Sequence, residues 1–396
     1  MSANAAASPA PVVPSARPGS AAVFLATWAC FAAIGCVLPI LPRYVHGPLH
    51  GGDIATGLVV GAFAFSAIVA RPWAGRAADV RGRRLMLIGG AAIIALGSAL
   101  MFVPAGVPGA VVARLVVGLG EGTVFTAGSA WVVDLAPAHR RGRAISWYGV
   151  SVWAGLSLGP AIGSALGELG GYDLVWAVAT ALPLVGAWIT WMQPSDARTP
   201  HPDEPRAPLI TREALAPGVA LALINAGYAT LAGFVGLHLS DRGAGHGTLV
   251  FVVFAVTIVL SRLVLGSLPD RLGALRAGVI AALSVGAGLT IVALAQAWPV
   301  AAVGGVVVGF GFATFYPALA LWVVDRAGEE RRGAALGTFT AFFDVGFGLG
   351  APIAGAVAAL AGYETAFWVA AGYAALAGAL VVGLGLSRGR PPASLA

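Results

Sequence analysis

The sequence contains no lysine and few charged residues of any kind. Charged residues make up 10% of the 396 residues, whereas a soluble domain carries about 25%. Apolar residues account for 58% of the chain, and 56 glycines come in addition. So few polar side chains cannot cover a water-facing surface, which excludes a soluble globular protein. The high apolar content also excludes a disordered chain. The composition therefore predicts a polytopic integral membrane protein, and the long apolar runs described below predict that it is all-α.

Cysteine and the usual catalytic motifs are also scarce. The two cysteines, Cys30 and Cys36, would point about 240° apart around a helix, so they cannot bond to each other. The 23 basic residues, all arginine, form short clusters and no extended basic stripe, so we expect no nucleic-acid partner. No phosphate-binding loop, Ser-His-Asp arrangement or zinc-enzyme spacing occurs at a suitable position. We therefore expect no enzymatic activity and no cofactor.

Long apolar runs recur along the chain. Because the bilayer core holds no water to satisfy backbone groups, a chain crosses it as a helix of about 20 apolar residues. Twelve runs meet this length, so we predict twelve transmembrane helices in two six-helix bundles. In chain order these runs cover residues 21–42, 54–74, 85–104, 109–131, 144–167, 174–192, 214–240, 247–268, 277–298, 300–324, 333–361 and 365–387.

Polar segments divide the chain, and arginines orient it. Loops on the cytoplasmic side of a membrane protein carry an excess of basic residues. With residue 1 in the cytoplasm, 18 arginines lie on that side and two, Arg43 and Arg242, on the other, so both termini are predicted to be cytoplasmic. The predicted parts are a disordered cytoplasmic tail over 1–20, an N-terminal bundle over 21–193, a cytoplasmic linker over 194–213, a C-terminal bundle over 214–387 and a cytoplasmic tail over 388–396.

The two halves of the chain are copies of each other. The sequence WVVD at 131–134 recurs at 322–325, an offset of 191 residues. Arg71 recurs at the same offset as Arg262. A parallel duplication of a six-span unit is a known transporter architecture, in which two similar bundles enclose a cavity at mid-membrane depth. Rocking one bundle against the other opens such a cavity to alternate sides of the membrane.

The loop after the second predicted span reads GRAADVRGRR over residues 75–84. It resembles the G-x-L-A-D-R-x-G-R-R signature loop of the major facilitator superfamily. A weaker copy, GSLPDRLG, occurs at 266–273, where that family repeats the loop. The resemblance covers about residues 21–387 and implies that spans 1, 4, 7 and 10 line the cavity. The loop departs from the pattern at Ala77 and Val80, and the matching positions are Gly75, Asp79, Gly82, Arg83 and Arg84.

The fifth predicted span carries Gly155, Gly159 and Gly163 at a spacing of four, with Pro160 between them. Such glycines form a smooth ridge for close helix packing, and the proline permits a bend. The pattern is similar to the g-x-x-x-G-P-x-x-G-G motif of the family's drug/proton antiporters, with Ser164 in place of the last glycine. General small-residue packing is the alternative. We favour the export branch because Gly-Pro in this setting is less common than the glycine spacing alone.

Charged residues inside the predicted spans are candidates for function, because a charge within a membrane is costly. Arg114 and Glu121 share one face of the fourth span, and Arg114 begins a sequence similar to the exporters' R-x-x-q-G-x-g motif. The two are either a structural ion pair or a site for protons or substrate. Glu121 is the first candidate for proton coupling, and Asp344 is the second. Arg71 and Arg262 are predicted to be structural anchors whose side chains reach the membrane surface.

Aromatic and polar residues on the cavity-lining spans form the predicted substrate cavity. An aromatic wall with few polar groups suits hydrophobic or amphipathic solutes. Packing against lipid or protein is the alternative for each of these residues. The candidates are Trp28, Phe31, Asn225, Tyr228, Phe312 and Tyr316.

Four of the six histidines fall in or beside the predicted outer loops. Metal binding and pH sensing are two alternative roles for these histidines. Pro48 disrupts the helical spacing of the first two, so we predict no metal site. The four are His46, His50, His238 and His246.

Together these features predict a proton-coupled exporter of small hydrophobic or amphipathic organic compounds. We expect a monomer in the cytoplasmic membrane of a bacterium, with the substrate, protons and the lipid bilayer as its partners. The first alternative is an importer or facilitator of a polar nutrient such as a sugar, although its cavity would need more hydrogen-bonding side chains. A non-transporting membrane receptor or assembly factor is the second, and the retained repeat and the in-membrane charges disfavour it. An intramembrane enzyme is the least expected.

Overall fold

The structure is a computed structural model that describes residues 18–103, 105–137, 141–193, 210–266, 268–327 and 332–386. The predicted tails over 1–20 and 388–396 and the linker over 194–213 lie wholly or largely outside these residues. Their assignment therefore stays a prediction. Within the described ranges the regular structure is helical throughout.

Helices occupy both halves of the chain in a similar order. The first half forms α1 Pro18–Val37, α2 Leu41–His46, α3 Asp53–Arg81, α4 Arg83–Ala99, α5 Gly106–Leu135 and α6 Arg141–Trp191. The second half forms α7 Arg212–Asp241, α8 Gly247–Leu265, α9 Leu268–Leu272, α10 Ala274–Leu294, α11 Trp298–Ala327 and α12 Arg332–Leu386.

The first predicted span, 21–42, ends earlier in the structure than in the prediction. α1 stops at Val37, and the short helix α2 follows from Leu41. Pro39 and Pro42 account for the break, because proline has no N–H for a helix interior but fits a first helical turn.

Two helices are too long to cross a bilayer once. α6 has 51 residues and α12 has 55. A straight helix of about 50 residues would measure about 75 Å, more than twice a bilayer core of about 30 Å. Both helices bend at glycines whose φ is positive, 68° at Gly171 and 83° at Gly362. Glycine alone adopts this region without strain. The two glycines are 191 residues apart, so each half bends at the same place in the repeat.

The helices of the described residues have the length and composition of membrane spans. Nine of them are long and apolar enough to cross a bilayer, and α8 contains a shorter apolar segment over Leu249–Leu265. The described helices therefore agree with a multi-pass helical membrane protein. The count of twelve spans and the cytoplasmic position of the termini stay predictions.

Glycines bring helices into close contact within each half. Gly155 of α6 faces α1, where a Cβ atom would lie 2.7 Å from the carbonyl oxygen of Trp28. Gly346 of α12 faces α7, where a Cβ atom would overlap Ala222. Gly155 and Gly346 are equivalent in the repeat, so both halves use the same close packing.

The two halves meet mainly through α3 with α12 and α6 with α8. At the end of α3 that begins with Asp53, Gly61 lies so close to α12 that a Cβ atom would be 2.9 Å from the carbonyl oxygen of Gly348. This approach places the next turns of the two helices side by side. As a result Arg71 of α3 lies opposite Asp344 of α12.

Candidate functional site

Arg71 links two buried carboxylates that come from different halves of the chain. Its Nη2 donates a hydrogen bond to Oε1 of Glu121 at 3.3 Å and lies 2.8 Å from Oδ2 of Asp344. The side chains of Glu121 and Asp344 are 5% and 3% exposed. The Arg71 guanidinium also lies 4.3 Å from the ring centroid of Phe125, a cation–π contact. We call Arg71, Glu121 and Asp344 the charged triad.

Hydrogen bonding within the charged triad is incomplete. Nε of Arg71, Oε2 of Glu121 and Oδ2 of Asp344 are buried without a hydrogen-bond partner among the described residues. The contact between Arg71 and Asp344 therefore has the distance of an ion pair without the geometry of a hydrogen bond. A buried polar group left unsatisfied costs about 1–3 kcal/mol, and more when it is charged. The triad is therefore held together mainly by the attraction between its charges.

The prediction that Arg71 reaches the membrane surface is wrong. Its side chain is 15% exposed and points to the two carboxylates. The cause is the position of α3, which packs against both α5 and α12. In this position the guanidinium reaches both carboxylates, and a buried carboxylate left without a cation would be strongly destabilising.

Arg114 does not pair with Glu121 in the described structure, so the ion-pair alternative is also wrong. The guanidinium of Arg114 lies 4.6 Å from the ring centroid of Phe63. Its Nε and Nη2 are buried and find no hydrogen-bond partner in the described ranges. The residue as a whole is 1% exposed. Glu121 shares a helix face with Arg114, but it turns to Arg71 on the neighbouring helix.

Five aromatic rings form a continuous path across the boundary between the halves, which we call the aromatic path. Phe63 and Trp153 belong to the first half, and Tyr228, Phe312 and Phe347 belong to the second. The ring centroids are 5.3 Å apart for Phe63 and Phe347, and 5.2 Å apart for Phe347 and Tyr228. They are 4.8 Å apart for Tyr228 and Phe312, and 5.6 Å apart for Phe312 and Trp153. Three of these five residues, Phe63, Trp153 and Phe347, were not among the predicted cavity residues.

An arginine lies at each end of the aromatic path. Arg114 lies over Phe63, and Arg262 lies 4.6 Å from the ring centroid of Trp153. Nε and Nη2 of Arg262, like those of Arg114, are buried without a hydrogen-bond partner within the described part of the chain. Arg262 was predicted to extend to the membrane surface. That prediction is wrong for two of its nitrogens, Nε and Nη2, because they are buried and the guanidinium lies against an aromatic ring of the opposite half.

The predicted cavity residues separate into two groups. Tyr228 and Phe312 lie in the aromatic path. Tyr316 lies beside it, with its ring 6.1 Å from that of Trp153 and its hydroxyl 2.9 Å from Oγ1 of Thr340. The remaining three residues lie outside the series of ring contacts that defines the path.

Phe31, Asn225 and Trp28 form the second group. The Phe31 ring lies 6.4 Å from that of Phe125 and so belongs to the surroundings of the charged triad. Asn225 is fully buried, where its Nδ2 donates to the carbonyl of Leu221 at 2.9 Å and its Oδ1 has no described partner. Trp28 is half-buried on α1, beside Gly155.

The signature loop closes one end of the first half. Gly82 separates α3 from α4 with a φ of 92°, which favours glycine. Arg83 lies 2.6 Å from Asp79 and donates from Nε to Asp134 of α5 at 3.3 Å. Arg84 donates to the carbonyl of Trp191, the last residue of α6. The loop therefore ties together the ends of α3, α4, α5 and α6. Gly75 lies one helical turn before Asp79 in α3, near Thr126 of α5.

The glycine motif of the fifth predicted span lies against α1. Cβ atoms at Gly159 and Gly163 would collide with backbone atoms of Ala32 and Cys36. The ring of Pro160 lies beside Gly35. The motif is thus a contact within the first half. Its assignment to the export branch stays a prediction.

The opposite end of α3 carries a second link between the halves. Tyr363 of α12 donates from its hydroxyl to Oδ1 of Asp53 at 2.8 Å. The same oxygen lies 3.1 Å from Nε2 of His46 on α2. His238 is bound to the carbonyl of Val292 at 3.0 Å. No group of three or more potential metal ligands occurs among the described residues.

Comparisons with known proteins agree with a helical transporter of two repeated halves. The model of the Major Facilitator Superfamily matches residues 23–245 and 218–395. An uncharacterised MFS-type transporter of Salmonella typhimurium is 31% identical over 91% of this chain and 94% of its own length. Another from Burkholderia mallei is 32% identical over 89% of each chain. The family model and these relatives identify a multi-pass membrane transporter. The chain belongs to the major facilitator superfamily.

Solved structures share the fold at low sequence identity. The nucleoside transporter NupG is 14% identical with a TM-score of 0.76, covering 92% of this chain and 99% of its own. A bacterial homologue of the human lysosomal transporter Spinster, in an inward-facing and occupied conformation, is 16% identical with a TM-score of 0.74, covering 95% and 100%. The human organic anion transporter MFSD10 is 20% identical with a TM-score of 0.69, covering 93% and 100%.

Proposed function

We propose that this chain is a monomeric secondary transporter with twelve membrane spans, in the cytoplasmic membrane of a bacterium. The bent helices α6 and α12 would supply two spans each. Together with α1, α3, α4, α5, α7, α8, α10 and α11 these make twelve. The excess of arginines on one side of these spans supports cytoplasmic termini.

We propose further that the protein exports small hydrophobic or amphipathic organic compounds in exchange for protons. The observation that carries this proposal is the ion pair between Arg71 and Asp344, which joins the two halves inside the membrane. A proton on Asp344 removes the negative charge that attracts Arg71 across the two halves, and Glu121 of the first half then holds Arg71 alone. The link between α3 and α12 then weakens, and release of the proton restores it. Proton binding and separation of the halves are thereby coupled.

The aromatic path supports an organic solute. Its rings offer apolar surface and few hydrogen-bonding groups, which suits a hydrophobic or amphipathic body more than a sugar. Because the path crosses between the halves, separation of the halves exposes it to one side of the membrane. The glycine motif with Pro160 supports export by its resemblance to drug/proton antiporters. The names of the relatives NupG and MFSD10, a nucleoside and an organic anion transporter, are in keeping with a small organic substrate.

Proton release from acidified inside-out membrane vesicles tests this proposal. Vesicles with the wild-type protein are challenged with neutral, cationic and anionic aromatic compounds while a dye reports the interior pH. We expect at least one compound to dissipate the pH gradient in wild-type vesicles, and the response to be absent from vesicles without the protein. If no compound does so but a sugar accumulates in right-side-out vesicles, the protein is an importer. Absence of flux of any solute would support a receptor.

A further inference from the structure

Arg114 is a buried cation without an anion. It is 1% exposed, and its contact is with the ring of Phe63. Its counterpart in the second half is Gly305, so the repeat does not require an arginine here. A buried guanidinium without a carboxylate is strongly destabilising, because desolvation is not compensated. The contact with Phe63 offsets part of this cost, and an anion bound in another state of the protein would offset the rest.

The charges inside the predicted spans do not balance. The three arginines inside the predicted spans are Arg71, Arg114 and Arg262, and the two carboxylates are Glu121 and Asp344. Arg71 holds both carboxylates. Arg114 and Arg262 therefore have only aromatic rings as partners in the described structure. A cationic solute would add to this positive charge, whereas an anionic solute would neutralise part of it.

The aromatic path connects the two uncompensated arginines. It begins at Phe63, on which Arg114 lies, and its ring contacts cross to the second half at Phe347 and Tyr228. When the halves separate, Phe63 and Arg114 stay with the first half while Tyr228 and Phe347 stay with the second. The opened cleft then has an aromatic surface on both sides, with the Arg114 guanidinium against the ring of Phe63 on one of them.

We infer that the transported solute is an amphipathic organic anion, whose acid group binds the Arg114 guanidinium and whose planar apolar body lies between Phe63, Tyr228 and Phe347. The inference rests on the proposed export of organic compounds and names their charge. A guanidinium offers two parallel N–H donors that match a carboxylate, and Arg114 has Nε and Nη2 free of other described partners. Arg262 at the far end of the path adds to the same preference for negative charge.

Three probes with one aromatic body and different charges test this inference. They are 1-naphthoate, 1-naphthamide and 1-naphthylmethylammonium, and their binding to the purified protein in detergent is measured by calorimetry. We expect the wild-type protein to bind the naphthoate at least 10-fold more tightly than the amide, and the ammonium compound most weakly. Equal affinities, tighter binding of the ammonium compound, or no binding of the naphthoate at millimolar concentration would overturn the inference.

Variants locate the anion site. We expect Arg114→Gln to bind the naphthoate about as weakly as the amide while its affinity for the amide stays within about twofold of wild type. Arg114→Lys should restore part of the preference. Arg326→Gln is the matched control, because Arg326 also lies over an aromatic ring, that of Trp322, at 4.8 Å, but is exposed. An unchanged affinity of Arg114→Gln for the naphthoate would contradict the assignment. If Arg114→Gln does not fold, the affinities of the wild-type protein for the three probes still show whether it prefers an anion.

No pH gradient enters this binding experiment. A failure of proton coupling in vesicles therefore leaves its result intact. Conversely, the same binding of all three probes would overturn the anion inference and leave proton-coupled export to be judged by the vesicle experiment.

Discussion

Asp344 occupies the position in the second half that Trp153 occupies in the first, and each receives an arginine from the opposite half. Arg71 lies 2.8 Å from Asp344, and Arg262 lies 4.6 Å from the ring centroid of Trp153. The two arginines are themselves equivalent, 191 residues apart. The same contact between halves is therefore built once as an ion pair and once as a cation–π contact. Only the ion pair contains a group that loses its charge when it binds a proton.

Replacement of Arg71 should destabilise the protein more than any other single change in the charged triad. Arg71→Gln leaves Glu121 and Asp344 buried without a cation, and breaking a buried ion pair in this way costs about 3–5 kcal/mol. The added change Asp344→Asn removes one of the stranded charges, so the double variant should be more stable than Arg71→Gln alone. Thermal unfolding in detergent measures both.

Arg76→Gln serves as the control for this prediction, because Arg76 is exposed five residues further along α3. Its loss should change the free energy of unfolding by less than about 0.5 kcal/mol, as is usual for surface substitutions. Equal melting temperatures for Arg71→Gln and Arg76→Gln would show that the ion pair between the halves contributes nothing to stability.

The contact between α6 and α1 should not tolerate a side chain at Gly159. A Cβ atom there would lie 2.5 Å from the carbonyl oxygen of Ala32, so Gly159→Ala must push the two helices apart. Such overpacking costs about 1–3 kcal/mol. Gly149→Ala on the same helix is the control, because no atom lies within 4 Å of its Cβ position and alanine favours a helix. A melting temperature of Gly159→Ala at or above that of Gly149→Ala would contradict the packing.

The helices were predictable from sequence because a bilayer imposes a length and a composition that few other structures share. The site was less predictable. Glu121 and Asp344 were identified because carboxylates are rare in such spans, but their partner Arg71 was assigned to the membrane surface. Sequence spacing predicts which residues share a helix face, as for Arg114 and Glu121. It does not predict which neighbouring helix a side chain turns to, and that choice depends on packing between the halves.

Trp153 shows what the repeat can add to such a prediction. It faces the second half in the structure, and its equivalence with Asp344 was visible in the sequence. A position that carries a charge in one half and an aromatic ring in the other indicates a contact with different roles in the two copies.

The hydroxyl of Tyr363 should hold the halves together at the Asp53 end of α3. Tyr363→Phe removes the hydrogen bond to Asp53, worth about 0.5–1.5 kcal/mol, which corresponds to about a 2- to 13-fold shift in the equilibrium for separation at this end. Trp368→Phe is the control, because Trp368 donates to Glu364 of its own helix and makes no link between the halves through that bond.

Cysteine labelling measures this separation. The native thiols of Cys30 and Cys36 are buried and are replaced by alanine. Ala232→Cys introduces a thiol on α7, in a small cavity that Pro42 and Arg43 of α2 also line. We expect a water-soluble maleimide to label this thiol at least twofold faster in Tyr363→Phe than in the parent protein, and at the parent rate in Trp368→Phe. Equal labelling rates in all three proteins would show that the hydrogen bond does not restrain opening.

The carboxylates held by Arg71 are proposed to couple protons to transport. A comparison of two modes of transport by the same variant tests this coupling most directly. Proteoliposomes with wild type, Glu121→Gln or Asp344→Asn are tested for exchange of labelled for unlabelled 1-naphthoate without a pH gradient, and for its uptake driven by an acidic interior. We predict that wild type performs both, and that at least one carboxylate variant keeps the exchange but loses the driven uptake at least 10-fold. If both variants retain driven uptake in proportion to their exchange, the charged triad is structural and the account of coupling is contradicted.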